Sequence, residues 1–351
     1  MKIIINRVLW VLVLCVSTLT HAERHFKEPW TVDDLLISQV KPFAIGHRGY
    51  GENPGSNPDI PIENTIESVQ RAFKEGVSIV EVDVVITADN HAVAIHDDFI
   101  GDFPFNLTCI NSLTYDQLRE TFHHVPTLKK VLRVAKKFAH KSTHISGLVN
   151  IEVKTPSPIC DPGDTSESAL VNAVIDAVNK TKMHDQVIVE VVSPALMNLF
   201  LTQAPSIKRN YSANALQFLS PMQIFELTGM SVVLIDKNAG YGLDWAEVGP
   251  DLPPFIPVFR LPGYYDLTAE LPRIDSFIQV ALATMSQIIT FDKQILMQME
   301  MTNPGSAFQL VQLLHSYQLT VFVYTVDDPL EWNLFSTMNV DGIYTNNISL
   351  N

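Results

Sequence analysis

Five short segments concentrate groups that ionise, bind cations or pass protons: His47-Arg48, Glu63-Asn64, Glu81-Val82-Asp83, His96-Asp97 and Glu152-Val153-Lys154. Glu81 and Asp83 are two positions apart in an apolar run, and in a strand that spacing points both carboxylates to one face. Glu152 ends a similar run. Buried together, three carboxylates are costly unless a cation compensates them. With no cysteine beside them they favour a hard divalent ion, Ca2+ or Mg2+. The ion-free alternative pairs them with Arg48 and Lys154.

His47 and His96 carry the groups that titrate nearest neutrality, and each follows an apolar run. One could take a proton from an attacking hydroxyl and the other return one to a leaving oxygen, the pair of tasks that cleaving a phosphodiester needs. Arg48 offers a planar fork and Lys154 a point charge, both suited to nonbridging phosphate oxygens. Glu63 and Asn64 are read as holding Arg48 or His47 in orientation. Histidines with no such company, among them His140 and His144, are read as ordinary surface or core residues.

These groups need elements to position them. Short runs rich in Val and Ile alternate with helical patterns, the signature of βαβ units and a mostly parallel sheet. Eight strands are expected: 43–47, 77–85, 148–153, 186–191, 231–236, 286–290, 320–325 and 341–345, with 207–211 competing for fifth place. The expected architecture is α/β, a (β/α)8 TIM barrel with a rim insertion. Four of the five segments fall at the end of an expected strand or just beyond one, where the sites of such barrels lie. Residues 238–265, rich in Gly, Pro and aromatics and without periodicity, read as a long excursion from the rim and a candidate lid.

The same residues resemble the glycerophosphodiester phosphodiesterase family. The stretch from Ala44 to Asp98 holds the family's His-Arg-Gly, Glu-Asn-Thr, Glu-x-Asp and His-Asp in order, and Ile151 to Lys154 matches its Ile-Glu-x-Lys. Weaker likeness runs through 125–132, 320–329 and 340–345. The resemblance implies a (β/α)8 barrel that hydrolyses glycerophosphodiesters to glycerol 3-phosphate and an alcohol such as choline, ethanolamine or glycerol. It implies a metal on Glu81, Asp83 and Glu152, with His47 and His96 as acid and base. It also implies attack by the neighbouring glycerol hydroxyl to give a cyclic intermediate that water opens. The alternative within the same barrel is a phospholipase D-type phosphodiesterase acting on lysophospholipids or sphingolipids, its channel lined by Tyr241, Trp245, Phe255, Tyr264 and Tyr265. The chain departs from the family pattern in several places. Val191-Val192 replaces a Ser-Phe, Thr345-Asn346 replaces a Thr-Asp, 51–61 looks inserted, and 205–271 matches no short consensus.

The 351 residues carry a formal net charge of -14 and are 46% hydrophobic. One barrel domain over 23–351 accommodates this length. The acidic balance, with no basic cluster, excludes a broad nucleic-acid footprint, and a small anionic substrate would rely on positive charge supplied locally. Residues 1–22 have a positive start, an apolar run shorter than a membrane span and a small residue at the end. They read as a cleaved signal peptide rather than a stable membrane anchor, so the protein is expected to be exported, periplasmic or secreted. Cys109 and Cys160 then remain, and in an oxidising compartment they could pair.

Overall fold

The structure is a computed structural model. It describes residues 29–350 apart from 39–40, 102–106, 140–145, 158–159, 162, 164, 216–217, 220–221, 223–230, 236–254 and 260–273; for 231–235 and 255–259 it describes the backbone alone. Eight strands close into a parallel barrel: β1 (Phe43–Gly46), β2 (Ile79–Ile86), β3 (Leu148–Val153), β4 (Val187–Val191), β5 (Lys208–Ala213), β6 (Ile288–Asp292), β7 (Thr320–Tyr324) and β8 (Gly342–Thr345). Each pairs with its successor, and β8 pairs with β1 to close the ring. The helices are α1 (Val32–Leu36), α2 (Ile66–Lys74), α3 (Tyr115–Thr121), α4 (Leu128–Ala139), α5 (Glu167–Thr181), α6 (Pro194–Gln203), α7 (Ile274–Ala283), α8 (Lys293–Thr302), α9 (Ser306–Ser316) and α10 (Pro329–Thr337). Among the described residues no helix is long and apolar enough to cross a membrane.

Local sequence accounts for these elements. In α4, Leu128, Val131, Leu132, Ala135 and Ala139 recur at helical spacing and are the residues that bury. Thr65 caps α2 by accepting from the Ser68 amide at 3.2 Å, and Asp328 caps α10 by accepting from the Leu330 amide at 2.6 Å. On β2 the outward Val80, Val82 and Val84 join α2, α4 and α5 in one core, while Ile79 joins a second cluster inside the barrel. That inner cluster includes Ile45, Leu148, Ile188, Ile288 and Phe322, and Val32 and Leu35 of α1 complete it. The N-terminal end of the barrel is thus packed with apolar side chains, so the polar inward positions fall further along the strands.

Seven of the eight expected strands are barrel strands, with β2 and β6 each beginning two residues later than expected. The fifth is corrected. Ser231–Ile235 is a strand, but it pairs in parallel with Phe255–Phe259 outside the barrel, and β5 stands between β4 and β6 instead. The sequence of β5, Lys-Arg-Asn-Tyr-Ser-Ala, has no apolar run. Asn210 and Ser212 are buried, and buried Arg209 spends its guanidinium on the carbonyls of Pro205, Ile207, Thr284 and Met285. Hydrophobicity therefore favoured the wrong segment. Residues 51–61, expected as an insertion, form a loop around Asn53, whose amide donates to the carbonyls of Asn57, Ile60 and Pro61 and accepts from the Gly55 and Asn57 amides. The segments 1–22 and 238–254 and 260–265 of the candidate lid lie outside the described residues.

Candidate active site

The carboxylates come together because their strands are in register. Glu81 faces Asn150 across the β2–β3 ladder, Asp83 faces Glu152, and Glu152 faces Glu190 on β4. One oxygen from each of Glu81, Asp83 and Glu152 lies within 4.8 Å of the others. A cavity of about 390 Å3 opens over them, lined also by His47, Arg48, His96, Lys154, Glu190, Ser212, Asn214, Tyr324 and Tyr344. All seven residues expected to act on substrate or cation line this one cavity.

The turn after β1 is shaped by two glycines. A Cβ on Gly46 would lie 2.2 Å from the Gly49 carbonyl oxygen, and one on Gly49, whose φ is +93°, would lie 2.5 Å from Ser68 Oγ. The tight turn aims the Arg48 amide at Glu81 Oε2, 2.7 Å away. Arg48 itself pairs with Glu63 at 2.9 Å and approaches Asp83 at 3.5 Å. Asn64 exchanges two hydrogen bonds with Asp83, its Nδ2 donating at 2.8 Å and its Oδ1 accepting from the Asp83 amide at 2.9 Å. Glu63 thus contacts Arg48, and Asn64 contacts Asp83.

His96 follows a short strand, Ala92–Ala94, antiparallel to β2, and its Nδ1 is 2.8 Å from Asp97 Oδ1. Lys154 sits 2.8 Å from Asp83 and 3.8 Å from Glu152. Burial alone would raise the Asp83 carboxyl, but Lys154, His96 and Arg48 outweigh it and hold Asp83 well below the usual range. Burial, together with the charges of Asp83 and Glu152, pushes Glu81 well above its ordinary value. Burial also pushes Glu152 up to about 8, aided by Asp83 and Glu190 and opposed by Lys154. Glu81 Oε1 is buried without a hydrogen-bond partner. Clustered oxygen donors, protons retained for want of countercharge, and an orphaned buried oxygen are what a hard divalent cation would correct, so these three residues fit one.

His47 is held by residues outside the expected site. Its Nδ1 is 2.8 Å from Asn346 Oδ1, an oxygen that also accepts from the Glu52 amide at 2.7 Å. The Asn346 amide nitrogen is tied to Asp327 at 2.8 Å, so the oxygen is fixed toward the ring and Nδ1 must carry the hydrogen. Nε2 is then a free base. Burial, then Arg48, pushes the imidazole down to about 4. Glu190, Asn150 and Tyr344 were also missed, although a glutamate inside the apolar run 187–191 was a signal available to find one of them.

The chain matches the model of the glycerophosphoryl diester phosphodiesterase family over residues 47–217 and 274–350. A glycerophosphodiester phosphodiesterase of Caldanaerobacter subterraneus is 26% identical over 182 residues, covering 48% of this chain and 65% of that protein. A glycerophosphocholine phosphodiesterase of Eremothecium gossypii is 38% identical over 81 residues, 23% of this chain and 6% of that protein. The chain therefore spans less than two thirds of either relative. A solved structure of an Oleispira antarctica phosphodiesterase, in complex with the product sn-glycerol-3-phosphate, shares the fold with a TM-score of 0.54 at 15% identity over 87% of this chain and 93% of that one. The family match extends over most of the chain and includes every site residue above, and the chain accordingly belongs to the glycerophosphoryl diester phosphodiesterase family.

Proposed function

We propose that the protein is an exported, divalent-cation-dependent phosphodiesterase that cleaves glycerophosphodiesters to glycerol 3-phosphate and an alcohol. The observation that carries this reading is the meeting in one cavity of a carboxylate trio, two basic side chains and two imidazoles. Family membership and the product held by the Oleispira relative support the substrate class. Glu81, Asp83 and Glu152 would hold the cation, Ca2+ or Mg2+, whose chemistry is to polarise a phosphoryl oxygen and offset charge that develops on it.

The remaining steps belong to the chain's own side chains. Arg48 and Lys154, both already beside Asp83, present positive charge to the nonbridging oxygens and fix the phosphorus. His47 is neutral near pH 7, and its Nε2 accepts the proton of the attacking glycerol hydroxyl while Asn346 holds Nδ1. His96, oriented by Asp97, gives a proton to the leaving alcohol oxygen as its P–O bond breaks, which leaves a cyclic phosphate. With the roles reversed, His96 takes a proton from the water that attacks phosphorus and His47 returns its proton to the glycerol oxygen as that P–O bond breaks, giving glycerol 3-phosphate. The leader-like first 22 residues support export, as does the disulfide between Cys109 and Cys160.

The test offers the purified chain glycerophosphocholine, glycerophosphoethanolamine, glycerophosphoglycerol and lysophosphatidylcholine with Ca2+ or Mg2+, and identifies products by phosphorus NMR. The reading predicts glycerol 3-phosphate from one or more of the three water-soluble diesters. Turnover of the lysolipid alone would replace it with the phospholipase D-type reading, and cleavage of none of the three diesters would remove it.

A further inference from the structure

Next to the carboxylate trio the barrel interior contains a second polar group of side chains. Asn150 on β3, Glu190 on β4, Asn210 on β5 and Tyr344 on β8 are each at most 3% exposed. Glu190 Oε2 accepts from Asn150 Nδ2 at 2.5 Å, from Asn210 Nδ2 at 3.0 Å and from the Tyr344 hydroxyl at 2.5 Å. Asn150 Nδ2 also lies 3.0 Å from the Tyr344 oxygen. Both amide hydrogens of Asn150 are thereby committed, and its Oδ1 is left buried without a donor. Glu81, its partner across the ladder, has the same deficit at Oε1. An unsatisfied buried oxygen destabilises the fold, and neighbouring strands carry two of them.

We propose that Glu190 is a positioning residue for the cation site: by engaging the amide nitrogen of Asn150 it leaves an oxygen, not an N–H donor, beside Glu81. This rests on the reading of Glu81, Asp83 and Glu152 as cation ligands. An amide free to turn over could offer a hydrogen-bond donor to Glu81, which would satisfy that oxygen and compete with a cation for it. Held as it is, the Asn150–Glu81 pair is acceptor-only, and a hard cation, bound directly or through its water, is the partner that removes both deficits.

The test titrates Ca2+ and Mg2+ into EDTA-stripped wild type, Glu190→Gln and Asn150→Ala by calorimetry, and measures diester turnover across the same range of cation. Both variants are expected to weaken the cation Kd by about 10- to 100-fold, the usual effect of losing a group that orients a ligand. Their kcat should return to within a few-fold of wild type once cation saturates, a recovery that general damage to the barrel would not show. Asn150→Ala carries the prediction if Glu190→Gln does not fold. Unchanged Kd in the folded variants, or activity not restored at saturating cation, overturns the positioning role alone. A wild type that binds neither ion overturns the ligand reading and this inference with it.

Discussion

At the scale of single residues, the substitution that matters most for proton transfer is the amide at 346 where the family pattern resembled here has a carboxylate. A neutral oxygen at His47 Nδ1 favours the imidazolium less than a carboxylate would, and burial, then Arg48, outweighs it and lowers the ring to about 4. Below that value His47 is protonated and cannot accept a proton, so activity should fall as pH falls through it. The acid limb of kcat/KM is therefore expected well below 6.5. Asn346→Asp places a negative charge 2.8 Å from the ring, stabilises the charged form and should move the limb to higher pH; a pH–rate profile of both proteins reads the sign directly. Replacing His47 or His96 by Ala should lower turnover by about 10²- to 10⁴-fold in the same assay. The groups named in these predictions differ in how visible they were beforehand. Glu81 and Asp83 announced themselves as charges two apart in an apolar run. Asn346 stood out only as a departure from the family pattern and Asn150 not at all, because an asparagine acquires its role only from the partners that fix its amide.

At the scale of elements, strands buried on both faces were legible because segments dominated by Val and Ile leave few alternatives, as in β2, β3 and β4. β5 was not, because its inward face is polar and its stability comes from a clamp. Arg209 donates to four carbonyls, two just before β5 and two at the C-terminal end of α7, at 2.9 to 3.1 Å. It thus ties two segments separated by more than 70 positions, a contact no local pattern reveals. The charge also suits the carbonyl end of a helix. Arg209→Met leaves these oxygens without donors and should cost at least about 2 kcal/mol, read as a lower urea midpoint with an unchanged slope. An unchanged midpoint would remove the clamp from the account.

At the scale of the whole molecule, the barrel was legible from the count and alternation of elements, and the site from the fact that its segments follow strands. Pairing of the cysteines was not, since it depends on geometry, and the structure joins Cys109 to Cys160 across 51 positions. Cys109 follows the His96 segment and Cys160 follows β3, so the bridge fastens the two stretches that carry His96 and Lys154. The double replacement by Ser should lower stability by roughly 2 to 4 kcal/mol, the usual range for a bridge, and reductant should destabilise wild type but not the variant in chemical unfolding. Under the proposed function, Glu81, Asp83 and Glu152 act as one cation site on which cleavage depends. The most direct measurement is the rate of glycerol 3-phosphate release from glycerophosphocholine, for wild type and Glu81→Gln, as free Ca2+ and Mg2+ are stepped down with EDTA. Wild type is expected to lose activity as cation is withdrawn and regain it on return, while Glu81→Gln folds but stays inactive; full activity of either protein in excess EDTA would show that cleavage does not depend on this site.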